Sequence, residues 1–174
     1  GAGPLVADGL PDTERRALHR QRAVSRALSP LWIPVFTGLM AWFFRWRIVE
    51  AGALRATYRE LREGSRAPLL ICANHLTMLD SFLIAWALAP PWWYVLHYAW
   101  VPWNTPEREN FARIWWMRAL VYVMKCIPVQ RGGDRREVGR VLSRIGWLLA
   151  RGEAAMIFPE GGRSRSGRVA TDAS

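Results

Sequence analysis

The chain has 174 residues, enough for one domain of ordinary size, and 51% of them are hydrophobic. This composition excludes an intrinsically disordered chain, which has few apolar residues and many charges. The 24 Lys and Arg residues against 14 Asp and Glu give a formal charge of +10. Such an excess indicates an anionic partner: nucleic acid, anionic lipid or a phosphorylated substrate.

Arginine and tryptophan are used in excess. All basic residues except Lys125 are arginine, which suits bidentate binding of phosphate but would also follow from a GC-rich genome. The 11 tryptophans favour a lipid partner, because indole rings prefer interfaces that are apolar on one side and wet on the other. Cys72 and Cys126 are too few for a disulfide framework and match no metal spacing, so both are predicted to be small buried hydrophobes.

The N-terminal region is rich in arginine and shows no secretory signal. Asp12 as N-cap and the pair Ser29-Pro30 predict a helix that ends at Leu28. An uncharged segment of 14 residues, 31–44, follows with arginines on either side. It makes about 21 Å of helix, too short for a hydrocarbon core of roughly 30 Å. We therefore expect a helix that lies in the membrane interface, with a buried core helix as the alternative.

The middle of the chain predicts parts of a sheet. Loose alternation suggests a strand over 46–50, and a charged helix is predicted over 54–63. The apolar runs 68–73 and 92–97 are typical of buried parallel strands, and 79–89 is long enough for a crossover helix between them.

The C-terminal third continues the alternation of helix and strand. The predicted elements are a helix from Pro106, capped by Thr105, to Lys125, a strand over 127–129, a helix from an Asp134–Glu137 capping box to Leu149, and a strand over 154–158. This order implies an α/β protein with a mostly parallel, mixed sheet flanked by helices and preceded by the N-terminal helical segment. Because the sheet looks unfinished, we expect the native chain to continue past Ser174.

The first motif that carries chemistry is Asn74-His75-Leu76-Thr77-Met78-Leu79-Asp80, directly after the predicted strand 68–73. On one helix, positions 75 and 80 would lie about 140° apart and could not touch. Thr77 and Asp80 match a capping box, which would place His75 at the strand end and Asp80 in the first turn of the next helix. The carboxylate could then hold one imidazole nitrogen and leave the other as a base. A plain helix cap and a core histidine are the structural alternatives.

Two further motifs also follow predicted strands. In Phe158-Pro159-Glu160-Gly161-Gly162-Arg163-Ser164-Arg165, adjacent glycines that let backbone amides approach an anion lie beside two arginines. The segment Ile127-Pro128-Val129-Gln130-Arg131-Gly132-Gly133 repeats this design. The carboxyl ends of parallel strands are where α/β proteins bind ligands, although a solvated turn is the alternative for each segment.

The three motifs in this order resemble those of the glycerolipid acyltransferases, the family of 1-acylglycerol-3-phosphate and lysophospholipid acyltransferases. That family has an Asn-His-x4-Asp box, a strand-end arginine and a Phe-Pro-Glu-Gly-x-Arg-Ser box, and the resemblance covers about residues 68–168. It implies His75 as the general base and Asp80 as the residue that orients it. The residues implied in substrate binding are Asn74, Thr77, Arg131, Glu160, Gly161, Gly162, Arg163 and Ser164.

The sequence departs from the family pattern at three points. Thr77 stands where the family often has serine, and Gly162 where threonine is common, which leaves the acceptor open. The family's fourth block, an apolar strand with a proline, is absent from these residues.

The resemblance implies a membrane-associated enzyme that moves a fatty acyl group to the free hydroxyl of 1-acylglycerol-3-phosphate (lysophosphatidic acid), giving phosphatidic acid. The donor would be acyl-CoA or acyl carrier protein, without a cofactor or metal. Further expected partners are anionic lipids at the cytoplasmic face of the cell membrane. Residues 1–50 are expected to form a basic region with the interfacial helix, and 51–174 a catalytic domain that is incomplete at its C-terminus.

The tryptophan-rich stretch could line an acyl channel, form core or touch lipid; its members are Trp86, Trp92, Trp93, Trp100 and Trp103.

Other functions fit the sequence less well. A nucleic-acid-binding protein would interleave aromatic and basic residues, whereas these tryptophans lie where charges are fewest. A metal-dependent hydrolase with His75, Asp80 and Glu160 as ligands would have a set poorly suited to zinc. A non-catalytic membrane-binding relative would not need an intact His-Asp pair. Within the acyltransferases, another lysolipid, a lyso-aminolipid or glycerol 3-phosphate are the alternative acceptors.

Overall fold

The computed structural model describes residues 9–64, 67–74, 79–108, 114–130 and 134–158. The helices are α1 (Asp12–Gly38), α2 (Ala51–Glu63), α3 (Asp80–Leu88), α4 (Pro91–Leu96), α5 (Trp115–Val123) and α6 (Arg135–Leu149). The strands are β1 (Leu69–Cys72), β2 (Trp103–Asn104) and β3 (Ala154–Ile157). A π-helical turn spans Leu39–Phe43 and a 3-10 turn Tyr98–Trp100.

A small, open, parallel sheet forms the centre of the fold. Its strand order is β1-β3-β2, and both outer strands pair with β3 in parallel. The predicted α/β class with a parallel sheet flanked by helices is therefore present, although the described residues contain no antiparallel pair that would make the sheet mixed. The strands predicted over 68–73 and 154–158 are confirmed as β1 and β3.

Different helices cover the two faces of the sheet. Ala155 of β3 belongs to a cluster with α6 and Leu18 of α1, whereas Met156 belongs to a second cluster with α2, α3, α4 and Ile33 of α1. Strand β3 is thus buried on both faces, as a central parallel strand should be. Strand β1 lies at an edge and is covered less than predicted: Leu70 is 43% exposed, and Cys72 is exposed rather than buried.

Helix α1 continues through the residues predicted to end it. The predicted end at Leu28 is wrong, because α1 runs to Gly38 with Pro30 and Pro34 inside it. A proline has no N–H to bond the carbonyl four residues earlier. For Pro30 that carbonyl belongs to Arg26, and the Ser29 hydroxyl donates to it at 2.8 Å. Ser29 therefore compensates for the proline instead of stopping the helix.

The start of α1 also differs from the prediction. Asp12 is the first helical residue rather than the N-cap, because Pro11 occupies the cap position. Its carboxylate pairs with Arg15 one turn later at 2.6 Å. Asp12 therefore still marks the helix start, but through the charge it places in the first turn.

The apolar segment 31–44 forms the end of α1 and the π-helical turn. One side packs into the protein through Ile33 and Met40, whereas Trp42 is 86% and Phe43 is 76% exposed. Within the described parts of the chain, no helix combines the length and apolar character needed to cross a membrane. The segment thus presents one apolar side to the core and another to solvent.

Two predicted strands are absent. Segment 46–50 is irregular and is bounded by Arg45 (φ 53°) and Glu50 (φ 55°), whose left-handed backbone interrupts an extended chain. The run 92–97 falls largely in α4, where Pro91 occupies the first turn and needs no N–H partner. Apolar runs of this length do not by themselves separate strand from helix.

The helix predicted from Pro106 to Lys125 is confirmed only over Trp115–Val123, and residues 109–113 lie outside the described residues. Glu107 instead forms a parallel bridge with Val129, where Pro106 O accepts from Val129 N at 2.9 Å. Ile114 is extended, so α5 begins only at Trp115. The strand predicted over 127–129 is reduced to this bridge and a second one, between Asn104 and Cys126.

The remaining helix predictions agree better with the structure. The helix predicted over 54–63 is α2, which starts three residues earlier, and that over 79–89 is α3. Asp134 caps α6 by accepting from Arg136 N at 3.0 Å, and α6 ends at Leu149 as predicted. The capping box is not completed, because the Glu137 carboxylate pairs with Arg108.

Lys125, Glu153, Arg22 and Trp103 form a buried group that we call the Glu153 cluster. Lys125 follows α5 with φ 54° and is 0% exposed. Its Nζ donates to Glu153 Oε2 at 2.6 Å, and Glu153 also accepts from Arg22 Nε at 2.5 Å and Trp103 Nε1 at 3.1 Å. Burial lowers the pKa of Lys125 to about 8, although Glu153 opposes this shift. Burial alone would raise the pKa of Glu153, but Lys125 and Arg22 hold it below its usual value.

Replacing Glu153 by Gln should lower the free energy of unfolding by about 3–5 kcal/mol, because a buried ammonium loses its carboxylate partner. The folded-state pKa of Glu153 lies below the unfolded value, so its contribution is complete above about pH 4.5 and is lost as the pH falls further. Denaturant unfolding should therefore show a difference between wild type and Glu153→Gln that shrinks in acid.

The matched control is Glu14→Gln, which breaks a partly exposed pair with Arg144. This change should lower stability by less than about 1 kcal/mol. Equal losses in the two variants would contradict the role of the Glu153 cluster.

Candidate active site

Two of the three motifs leave the sheet side by side. Strands β1 and β3 pair in parallel from Leu69 with Ala154 to Cys72 with Ile157, and Ala73 N donates to Ile157 O at 3.3 Å. Asn74 and Phe158 therefore end neighbouring strands at the same edge of the sheet. Parallel strands lie about 4.8 Å apart, so the ends of these two strands lie close together.

The remaining motif reaches the same edge further along the sheet. Its first part runs parallel to the extension of β2 through the bridges of Asn104 with Cys126 and of Glu107 with Val129. The order across this edge is thus β1, β3, β2 and then the segment 126–129. All three motifs begin where α/β proteins bind ligands, at the carboxyl ends of parallel strands.

Asp80 lies at the start of α3, directly after this edge. It is only 7% exposed and is the first residue of the helix, behind Leu79 at the N-cap. The predicted place in the first turn is therefore confirmed, but the helix starts at Asp80 rather than after a cap at Thr77. The N-terminal end of a helix stabilises a carboxylate through the helix dipole. Asp80 is thus a buried acid in the first turn of α3.

Most of the site residues predicted from the sequence lie outside the described residues. These are His75, Thr77, Arg131, Glu160, Gly161, Gly162, Arg163 and Ser164. Of the two that are described, Asn74 is exposed at the end of β1 and Asp80 is buried. The contact between imidazole and carboxylate stays a prediction.

A narrow apolar cavity with about 40 Å³ of enclosed space, open to solvent on one side, lies between α1, α3 and the sheet. Its lining includes Phe36 and Met40 from the α1 side and Phe82, Ala85 and Trp86 from α3. We call it the α1–α3 cavity. Ser81, the residue after Asp80, also lines it.

Asn104 is the polar residue at the sheet side of this cavity. It is 6% exposed, and its Oδ1 has no hydrogen-bond partner among the described residues. An unpaired buried acceptor destabilises a protein by about 1–3 kcal/mol. This oxygen can therefore accept a hydrogen bond from a water or another donor in the cavity.

The tryptophans of the tryptophan-rich stretch lie in different places: some in the core, one at a cavity and one at the surface. Trp103 is fully buried in the core, and Trp100 is buried at 8% exposure. Trp86 lines the α1–α3 cavity, whereas Trp92 is 58% exposed. Trp93 is partly buried and stacks on His97 with ring centroids 4.0 Å apart.

Sequence reasoning missed the Glu153 cluster and Asn104. The helix pattern places Lys125 near a helix end, and the sequence assigns Asn104 no role. The one available signal was that Lys125 is the single lysine among arginines. Asn104 carried no signal, because its burial depends on β2, which the sequence does not predict.

A parallel sheet with three such motifs at the carboxyl ends of its strands, beside the buried Asp80, is an arrangement typical of α/β enzymes. The model of the family described as Acyltransferase matches residues 54–173, most of the chain. The chain therefore belongs to the glycerolipid acyltransferase family, and the protein is an acyltransferase. The comparisons with curated proteins and with solved structures gave no match.

Proposed function

We propose that the protein transfers a fatty acyl group from an acyl thioester to the free hydroxyl of 1-acylglycerol-3-phosphate. The observation that carries this proposal is the parallel pairing of β1 with β3. It brings the chain that continues into His75 beside the chain that continues into Pro159 and Glu160, at the edge where Asp80 is buried. A base and an anion-binding loop are what transfer to a phosphorylated alcohol requires.

In the proposed mechanism, His75 removes the proton of the acceptor hydroxyl as its oxygen attacks the thioester carbonyl. Asp80 holds the other imidazole nitrogen and stabilises the imidazolium that forms. The carbon–sulfur bond then breaks, and the leaving thiolate takes the proton from His75. No acyl-enzyme is needed, because both substrates react in one complex.

The acceptor phosphate is proposed to bind at the other two motifs. Arg131 and Arg163 supply guanidinium groups that bind phosphate in a bidentate manner. The glycines beside Glu160 leave backbone amides accessible. Another lysolipid or glycerol 3-phosphate would present the same kind of group, so these acceptors are the alternative.

Replacing His75 by Ala should lower the rate by at least ~10²-fold, which is the usual contribution of a general base. Asp80→Asn should also be strongly impaired, because it changes the hydrogen bond that orients the imidazole. The measurement is thiol release from palmitoyl-CoA by the protein in mild detergent, with and without lysophosphatidic acid.

His97→Ala is the matched control, because His97 lies outside the three motifs and stacks on Trp93; this variant should keep the wild-type activity. Release that requires both the acceptor and His75 supports the proposal. Release that ignores the acceptor indicates a thioesterase instead, and a loss of less than about tenfold in His75→Ala contradicts the role of the base.

The acyl chain is proposed to occupy the α1–α3 cavity. This cavity is lined mainly by apolar side chains, and Ser81, the residue after Asp80, is part of its lining. One of its walls is the part of α1 and the π-helical turn whose other side exposes Leu39, Trp42 and Phe43. A chain drawn from a lipid layer could therefore enter the cavity along α1 without crossing polar surface.

Replacing Ala85 by Phe should shorten the preferred acyl chain, because the larger side chain fills part of the cavity that Ala85 lines. We expect the ratio of activity with decanoyl-CoA to that with palmitoyl-CoA to rise. The control is Ala87→Phe on the same helix, which adds the same volume at a position outside the cavity lining. An unchanged ratio in Ala85→Phe, or the same rise in both variants, would place the chain elsewhere.

The exposed side of segment 31–44 is proposed to bind the membrane interface, with arginines adding attraction to anionic lipid. Burial of one large apolar side chain contributes about 1.5–3 kcal/mol. The double variant Trp42→Ser, Phe43→Ser should therefore bind vesicles with 30% phosphatidylglycerol (about a third anionic lipid) roughly a hundredfold more weakly. Flotation measures this binding.

The control for the membrane test is Leu142→Ser, which removes an apolar side chain that is 56% exposed on α6. It should bind like wild type. Binding that ignores salt and lipid charge, or that survives the double variant, would refute an interfacial role.

A further inference from the structure

Arginines from four segments line one continuous groove next to the segment 126–129. Two adjoining cavities, of about 1390 and 420 Å³ with the solvent at their mouths, share Arg108, Pro128 and Arg144 in their linings. Arg20 and Arg118 line the larger cavity, and Arg140 lines the smaller. We call this feature the arginine groove.

The charge of the groove is only partly neutralised by the protein. Arg144 pairs with Glu14 at 2.7 Å, and Arg108 pairs with Glu137. The five arginines and two glutamates leave a formal charge of +3. In the described part of the chain, the three other arginines, Arg20, Arg118 and Arg140, form no ion pair. The groove therefore fits a ligand with several negative charges.

The shape and chemistry of the groove favour a small polyphosphate over an acidic protein. The arginines surround a concave space, whereas a folded protein domain would need a broad outer surface. Guanidinium groups bind phosphate oxygens in pairs of parallel hydrogen bonds. Tyr122, also in the lining, adds a flat ring on which a nucleobase could stack.

The distance from the groove to the sheet edge matches the arm of coenzyme A. Three strand spacings separate β1 from segment 126–129, or about 14 Å. The pantetheine arm has the length of roughly four extended residues, also about 14 Å. A nucleotide in the groove would thus place its thioester near the end of β1.

We propose that the arginine groove binds the phosphate-bearing nucleotide of acyl-CoA, and hence that coenzyme A rather than acyl carrier protein delivers the acyl group. This inference rests on the proposed function and names the donor for that site. It needs no catalytic residue, so CoA binding can be measured without turnover.

The test is calorimetric titration of the His75→Ala protein with CoA, dephospho-CoA and pantetheine. We expect CoA to bind more tightly than dephospho-CoA by about tenfold, because one phosphate with charge-assisted hydrogen bonds is lost. Adding Arg118→Ala and Arg140→Ala to the His75→Ala protein should weaken CoA binding by at least about tenfold and reduce the preference for CoA over dephospho-CoA. Both arginines are exposed, so this change should leave the fold intact.

Arg26→Ala is the matched control, since Arg26 is an exposed arginine of α1 outside the groove lining, and it should keep the CoA affinity. Equal affinity for CoA and pantetheine, or unchanged CoA binding in the double variant, would overturn the proposal. The proposal is also overturned if the double variant keeps its affinity for CoA and instead loses affinity for acyl carrier protein or for anionic vesicles. Groove-dependent CoA binding without acyl transfer to any lysolipid would refute the proposed function but leave this inference standing.

Discussion

The fold depends on one buried carboxylate, that of Glu153. It lies directly before β3 and accepts hydrogen bonds from Arg22 of α1, Trp103 of β2 and Lys125. Charged groups can be buried only with partners, so these three segments must take their places around β3 together. Once β3 is placed, the parallel register with β1 and β2 follows, and with it the edge at which the motifs meet.

The stabilising Glu153 cluster and the sequence motifs therefore lie at opposite ends of β3. The Glu153 cluster lies at the start of β3, where Lys125 is fully buried and Glu153 is 5% exposed. Two of the sequence motifs follow its last residue and that of β1, at the end of a parallel sheet where α/β proteins bind ligands.

Sequence reasoning identified the elements whose signals are local. The runs that form β1 and β3, the cap at Asp134 and the motif residues could be read directly. The short strand β2 could not, because two residues give no periodicity and its pairing with β3 depends on distant chain. The proline signal at 29–30 failed for a specific reason, since the Ser29 hydroxyl satisfies the carbonyl that Pro30 leaves without a partner. Of the candidate site, the edge and the acid Asp80 could be predicted, whereas Asn104 and the arginine groove arise only from tertiary packing.

Helix α1 belongs to both hydrophobic clusters, through Leu18 on one face of the sheet and Ile33 on the other. Two cores that share one continuous helix cannot melt independently, because loss of either removes the packing that keeps the helix in place. Amide hydrogen exchange should therefore report similar opening free energies for α3 and α6, although these helices lie on opposite faces of the sheet. The prolines inside α1 thus lie in the segment that makes unfolding cooperative. The hydrogen bond from Ser29, which is 1% exposed, keeps the helix continuous at Pro30.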